Sequence, residues 1–236
     1  MTDYSPAIRY ITSQLNVGNI YVNRNQIGAV VGSQPFGGEG LSGTGPKAGG
    51  PNYLKRFTTS NEALLEAPQS SINPQTYLPL DAVQSVIEQA PRAAEIAIST
   101  IDLPGPTGES NRLSEYPRGT ILCLGPTLKA AQEQIKIAKS KGCTAIAIHE
   151  GASGDNSLDG VINPDALSQL NGINGVAYWA NTDIARKLRQ ALAQRDGPIL
   201  PLIGPADMDV CCILERHVCV DTTAAGGNVA LLSGIT

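Results

Sequence analysis

Nine of the 23 residues from Gly28 to Gly50 are glycine, a density that suits neither helix nor strand and dictates a long, closely folded loop. The elements before it are readable. Ser5 as an N-cap, Pro6 at the first helical position, and Ile8, Ile11 and Leu15 on one face predict a short helix that Gly18 ends. Asn19-Ile20-Tyr21-Val22-Asn23 reads as a strand, so the chain opens as a helix-strand-glycine-loop arm. Such a loop lets backbone approach a ligand and leaves amide N–H groups free for an anion such as a carboxylate. A tight connection packed on a neighbour is the competing structural explanation.

Residues 58–80 are polar and interrupted by Pro68, Pro74 and Pro79, which predicts a linker. A second unit spans 81–236. Its pattern predicts a helix from Asp81 to Pro91, resuming from Arg92 to Ser99, and then a long turn through LPGPTGESN. Strands follow at Arg112–Glu115, Thr120–Leu124, Cys143–His149, Gly175–Trp179, Pro198–Ile203 and His217–Asp221. Helices are predicted at Thr127–Lys141, Pro164–Leu170 and Asp183–Gln194. Short apolar strands separated by amphipathic helices imply an α/β, Rossmann-like fold: a parallel sheet with helices on both faces. NIYVNRNQIGAVVG and HVCVDTTAAGGN share a plan of strand, Asn or Asp, then small residues, with Val22 matching Val220. Duplication and chance explain that likeness equally well.

The chain has 236 residues, 17 basic against 21 acidic, and carries no basic stripe, so neither nucleic acid nor an anionic membrane is expected as a partner. The opening MTDYSPAIRY lacks the regions of a signal peptide, and a cytoplasmic location is expected. Five cysteines, an odd number lying mostly in apolar runs, read as reduced core residues. Gly38 to Gly43 has the spacing of a dinucleotide fingerprint, but Pro46 and Pro51 follow where a helix must open. Gly40 to Gly45 has the gap of a phosphate loop, with Pro46 where the lysine belongs. There is no Gly-x-Ser-x-Gly, Cys-x-x-Cys or His-x-x-x-His, and His149 and His217 are the only histidines. A metal centre and a serine triad therefore lack support.

The run Gly18 to Asn25, then Gly28-Ala29-Val30-Val31-Gly32, Gln34-Pro35-Phe36-Gly37-Gly38 and Leu41 to Pro51, resembles the end of an aldehyde dehydrogenase domain. The Gly-Ala-Val-Val-Gly and Pro-Lys-Ala-Gly-Gly-Pro pieces narrow this to the glutamate semialdehyde (pyrroline-5-carboxylate) dehydrogenase branch. Thr223-Ala224-Ala225-Gly226-Gly227-Asn228 is similar to the tail of long forms of the proline utilization A family, which join a proline dehydrogenase to that aldehyde dehydrogenase. The resemblance implies that residues 1–57 end a catalytic domain and that 81–236 form a degenerate aldehyde-dehydrogenase-like covering domain with a sealing tail. It also implies that Gly28 and Ala29 hold the carboxylate of glutamate semialdehyde by their amides while Phe36 packs on its aliphatic part. The catalytic cysteine and the nucleotide domain of the family lie upstream of its matching segment. NAD, with FAD in the proline dehydrogenase domain, is thus expected in a parent enzyme, with no cofactor on this chain, no catalytic residue and no activity alone. The implied partners are the upstream polypeptide and the semialdehyde. A strand at 19–23 without its parental sheet is expected to be mobile, to pair with a second copy in a homo-oligomer, or to await the upstream polypeptide. An independent noncatalytic α/β oligomerisation or small-molecule-binding module is the alternative.

Overall fold

A computed structural model describes residues 6–57, 77–180 and 182–221. The expected cap at Ser5, most of the expected linker and the Thr223–Asn228 motif lie outside the described residues. Helix α1 (Pro6–Gln14) starts at its proline and buries none of its residues. It is followed by strand β1 (Asn19–Val22) and, after the glycine loop, a 3-10 turn at Tyr53–Phe57.

The described chain forms two compact units that are not contiguous in sequence. One gathers residues 6–57, 97–116 and 214–221; the other gathers 77–96 and 117–213. This spatial grouping cuts across the sequential division at 57 and 81, because β2 (Ser99–Leu103), β3 (Glu109–Pro117) and β9 (Ile213–Asp221) share a four-stranded sheet with β1, in the order β1-β9-β3-β2. The expectation of an unpaired arm strand is overturned: β1 runs parallel to β9, with Asn19 opposite His217 and Val22 opposite Val220. Strands β2 and β3 are antiparallel. The helix expected from Arg92 to Ser99 is absent. Ile96 and Ile98 repeat with the period of a strand, and the Ile98 amide bonds Glu115 O at 2.8 Å, leading into β2.

The second unit meets the expectation of a covered parallel sheet. Strands β4 (Thr120–Cys123), β5 (Thr144–Ile148), β6 (Ser157–Leu158), β7 (Gly175–Ala177) and β8 (Leu202–Ile203) lie in the order β6-β5-β4-β7-β8, every pair parallel. All five residues of β5 are buried, as a sheet covered on both faces requires. One face packs Leu122, Ile146 and Val176 with α2 (Leu80–Gln89) and α4 (Asp183–Ala193); the other packs Ile121, Cys123 and Ala145 with α3 (Leu128–Ser140) and α5 (Met208–Cys211). Thr127 and Thr182 cap α3 and α4, each accepting from the amide three residues on. Strand β8 is shorter than the predicted Pro198–Ile203 because Pro198 and Pro201 have no N–H to give the ladder. The predicted helix at Pro164–Leu170 is a 3-10 segment, Pro164–Ser168. Among the described residues, no helix is long and apolar enough to cross a membrane.

Candidate functional site

The glycine loop is fastened to the four-stranded sheet by a layer of buried polar side chains. Asn19, at the start of β1, donates from Nδ2 to Pro35 O at 2.8 Å and accepts at Oδ1 from the Gly37 amide at 3.0 Å and from Lys47 Nζ at 2.9 Å. Lys47 is almost wholly buried and also donates to Gly37 O. Burial lowers its amine to about 8, with Glu215 and Glu39 opposing the fall. Gly18 is obligatory at the entry to β1, since a Cβ there would lie 2.1 Å from Gly37 O.

Two carboxylates on the sheet anchor further points. Glu215 accepts from the Lys47 amide at 2.7 Å and from Asn52 Nδ2 at 2.9 Å. Glu109 accepts from Arg24 Nη1 at 2.6 Å, Gln34 Nε2 at 2.8 Å and Asn111 Nδ2 at 2.8 Å. Gln34 turns its carbonyl back to the Val30 amide at 3.2 Å and its own amide bonds Val30 O at 2.7 Å, closing the turn that follows Gly28-Ala29. Arg216 grips Glu39 with two nitrogens, at 2.9 and 2.7 Å, and lies over the Tyr116 ring.

His217 is fully buried opposite Asn19. Burial, together with the Lys47 charge, pushes its imidazole down to about 4, so it is neutral at physiological pH. Its role in the sheet was not legible in its neighbours, Arg216 and Val218. Gln34, Lys47, Glu109 and Glu215 were equally missed, since the contacts that tie the loop to the sheet join residues far apart in sequence, 75 for Gln34 with Glu109 and 168 for Lys47 with Glu215.

The three residues expected to bind substrate lie in one loop but differ in setting. Gly28 adopts φ +80°, is exposed, and has nothing within 4 Å of where a Cβ would be. Ala29 is half-buried beside it, and among the described residues neither amide has a hydrogen-bond partner. Phe36 has its backbone paired with Ala48, at 3.0 and 2.9 Å, and leaves its ring 52% exposed. Ile27, Val30 and Val31 are exposed around the same turn. The arrangement offers free donors amid apolar surface, held by a rigid polar underlayer, and it has the chemistry to hold a small carboxylate with an aliphatic body.

The cysteines are all buried and reduced. Burial raises the Cys123 thiol to about 12 and also raises Cys219. At the carboxyl end of β4, where a sheet of this strand order can bind a dinucleotide, the residues do not fit one. Gly125 bonds the Gln134 amide group through both its N–H and its C=O, and the Trp179 amide takes the same carbonyl at 2.8 Å. A Cβ on Gly125 would meet Thr127 N at 2.6 Å, and His149 Nε2 lies 3.3 Å from Pro126 O. No open glycine cradle remains for a pyrophosphate.

The profile of the aldehyde dehydrogenase family matches residues 1–62. Along 98% of its length the chain is 34% identical to the bifunctional protein PutA of Escherichia coli (strain K12), of which it covers 20%. With the bifunctional protein PutA of Klebsiella aerogenes the identity is 34% over 95% of the chain and 20% of that protein. A 41-residue stretch is 61% identical to the 1-pyrroline-5-carboxylate dehydrogenase of Geobacillus thermodenitrificans (strain NG80-2), covering 17% of this chain and 8% of that one. The chain thus spans about a fifth of the length of the bifunctional relatives it matches. The structure of proline utilization A from Corynebacterium freiburgense matches with TM-score 0.51 at 19% identity, over 91% of this chain and 21% of that one, a likeness of fold alone. The chain is homologous to part of PutA and carries an aldehyde-dehydrogenase-like fold.

Proposed function

We propose that the chain is the C-terminal part of a proline-catabolic glutamate semialdehyde dehydrogenase, and that its own contribution is to anchor the substrate carboxylate. The observation that carries this is the Gly28-Ala29 turn: two amides without a partner among the described residues, amid exposed Ile27, Val30, Val31 and Phe36. Backbone donors suit a carboxylate, and an apolar wall excludes water from the reacting carbonyl. Residues 1–57 end the catalytic domain, 58–80 link, and 81–236 form the degenerate covering domain with its sealing tail.

Oxidation of an aldehyde by this class requires a thiolate nucleophile, an oxyanion donor and a hydride acceptor. In this reading the upstream polypeptide supplies the thiolate and the NAD site, and a proline dehydrogenase portion with FAD supplies the precursor of the semialdehyde. Gly28 and Ala29 orient the substrate by its far end, Phe36 shields its methylenes, and the layer from Asn19 to Glu215 keeps the turn in place. The whole enzyme works in the cytoplasm, and this chain alone is inactive.

The test is NADH formation from NAD and glutamate semialdehyde by the chain alone and with the upstream dehydrogenase portion. Activity only with both pieces, lost when Phe36 or the Gly28-Ala29 turn is altered, supports the reading. NADH produced by this chain alone refutes it, as does an absence of activity when both pieces are folded and associated.

A further inference from the structure

Outside the glycine loop, the second unit gathers four of the five cysteines, Cys123, Cys143, Cys211 and Cys212, in one core cluster. Two of them touch. Cys143 stands just before β5, after the turn that ends α3, and its Sγ donates to the backbone oxygen of Cys212 at 3.0 Å. The two thiols influence each other's ionisation, which is lowered for Cys143 and raised for Cys212. Buried Arg118 fixes the backbone on both sides of this contact: its amide bonds Cys212 O at 2.9 Å, Nη2 bonds Ile213 O at 3.2 Å, and Nε bonds Cys211 O. The Cys143 sulfur is therefore held against the fixed backbone of Cys212, in the same packed cluster as the Cys212 thiol.

We propose that Cys143 and Cys212 are a redox modification site that closes to a reversible intrachain disulfide when a small hydroperoxide reaches it. Of the pair, Cys143 is the sulfur that ionises first. The neighbouring Cys212 thiol, the backbone of Gly119 and Arg118, and the Arg118 charge lower it against burial, while Cys212 is held protonated. The Cys143 thiolate attacks one peroxide oxygen and breaks the O–O bond, and the other oxygen leaves as water or an alcohol. The Cys212 sulfur then attacks the sulfenic acid and loses its proton. The S–S bond forms and the sulfenic hydroxyl departs as water. Two thiols give up two electrons and the hydroperoxide takes them; a dithiol reductant returns them by exchange.

The protein as its source makes it is exposed to hydrogen peroxide, denatured with an alkylating reagent, digested without reduction and mapped by mass spectrometry. The expected result is one cross-linked peptide pair joining Cys143 to Cys212, lighter by two hydrogens and released by dithiothreitol, with Cys123, Cys211 and Cys219 alkylated. Cys143→Ser and Cys212→Ser each abolish it, and Cys211→Ser retains it. Five alkylated thiols after peroxide, a bridge between any other pair, or Cys143 carried to the sulfinic acid without a bridge would overturn the proposal. The wild-type map decides the matter even where a serine variant fails to fold.

Discussion

Val22 and Val220 lie directly opposite each other in the neighbouring parallel strands β1 and β9. They are also an identical pair when the two strand-and-small-residue segments of the sequence are laid side by side, so the spatial register repeats the sequence alignment residue for residue from Asn19/His217 to Val22/Val220. Adjacent parallel strands of like sequence present like side chains to the same face, which is what a duplicated strand packed on its own copy produces. The His217 amide extends the ladder to Gly18 O at 2.9 Å. The amides of Ile20 and Val22, which face β9 from this edge strand, are therefore expected to exchange far more slowly than those of Gly28 and Ala29. Cys219→Pro, which deletes a ladder donor facing β1, is expected to erase that protection without touching β5; unprotected Ile20 and Val22 amides in the wild type would contradict the pairing.

A second expectation concerns acid. His217 binds a proton near pH 6.5 in the unfolded chain but only near 4 when folded. Between those values the unfolded state holds more protons, so stability falls as pH drops from 6.5 to 4, by about 3 kcal/mol. Urea melts across that window should show the slope in the wild type and a flatter line in His217→Gln.

Lys47 works at the other end of the scale. Its folded amine releases its proton near 8 while the unfolded one keeps it to 10.5, so this group adds stability as pH rises through that window. Thiols of the unfolded chain titrate in that window too, hence the quantity to measure is the difference between wild type and Lys47→Met. That difference should shift in favour of the wild type from pH 8 to 10.5.

Packing in the second unit gives a prediction of magnitude. Leu188 is 1% exposed on the inner face of α4, in the same cluster as Leu122, Ile146 and Leu167. Leu188→Ala should destabilise by ~2–5 kcal/mol, read from chemical denaturation.

Substrate anchoring is tested by kinetics of the reconstituted enzyme. A side chain at Gly28 strains a φ of +80° and turns an amide away from its target, so Gly28→Val should raise KM for the semialdehyde by roughly ten- to a hundredfold, the value of one hydrogen bond to a charged group. The change in kcat should be much smaller, because the lost contact is made equally in ground and transition states.

The parallel sheet was legible because its strands are local runs of apolar residues, as in Thr144–Ile148, separated by the amphipathic stretches that form α3 and α4. The loop was legible from glycine alone. The four-stranded sheet was not: β1, β9 and Arg112–Glu115 of β3 read as strands, but nothing local says that β1 takes β9 as its neighbour, and β2 fell between an expected helix and an expected turn. The underlayer of the site was hidden for the same reason. Nothing near Lys47 in the sequence says that its amide will meet Glu215.

Asn19 and His217 are 198 residues apart along the chain yet neighbours in one sheet. A ribosome adding 5–20 residues per second leaves roughly 10 to 40 s between the emergence of one and the other. During that interval β1 and the glycine loop exist without β9, Glu109 and Glu215 arriving only in turn. Strand β1 is made long before the strand that secures it, so a nascent chain stalled or terminated between the two would display a naked apolar strand edge to the cell's chaperones and proteases.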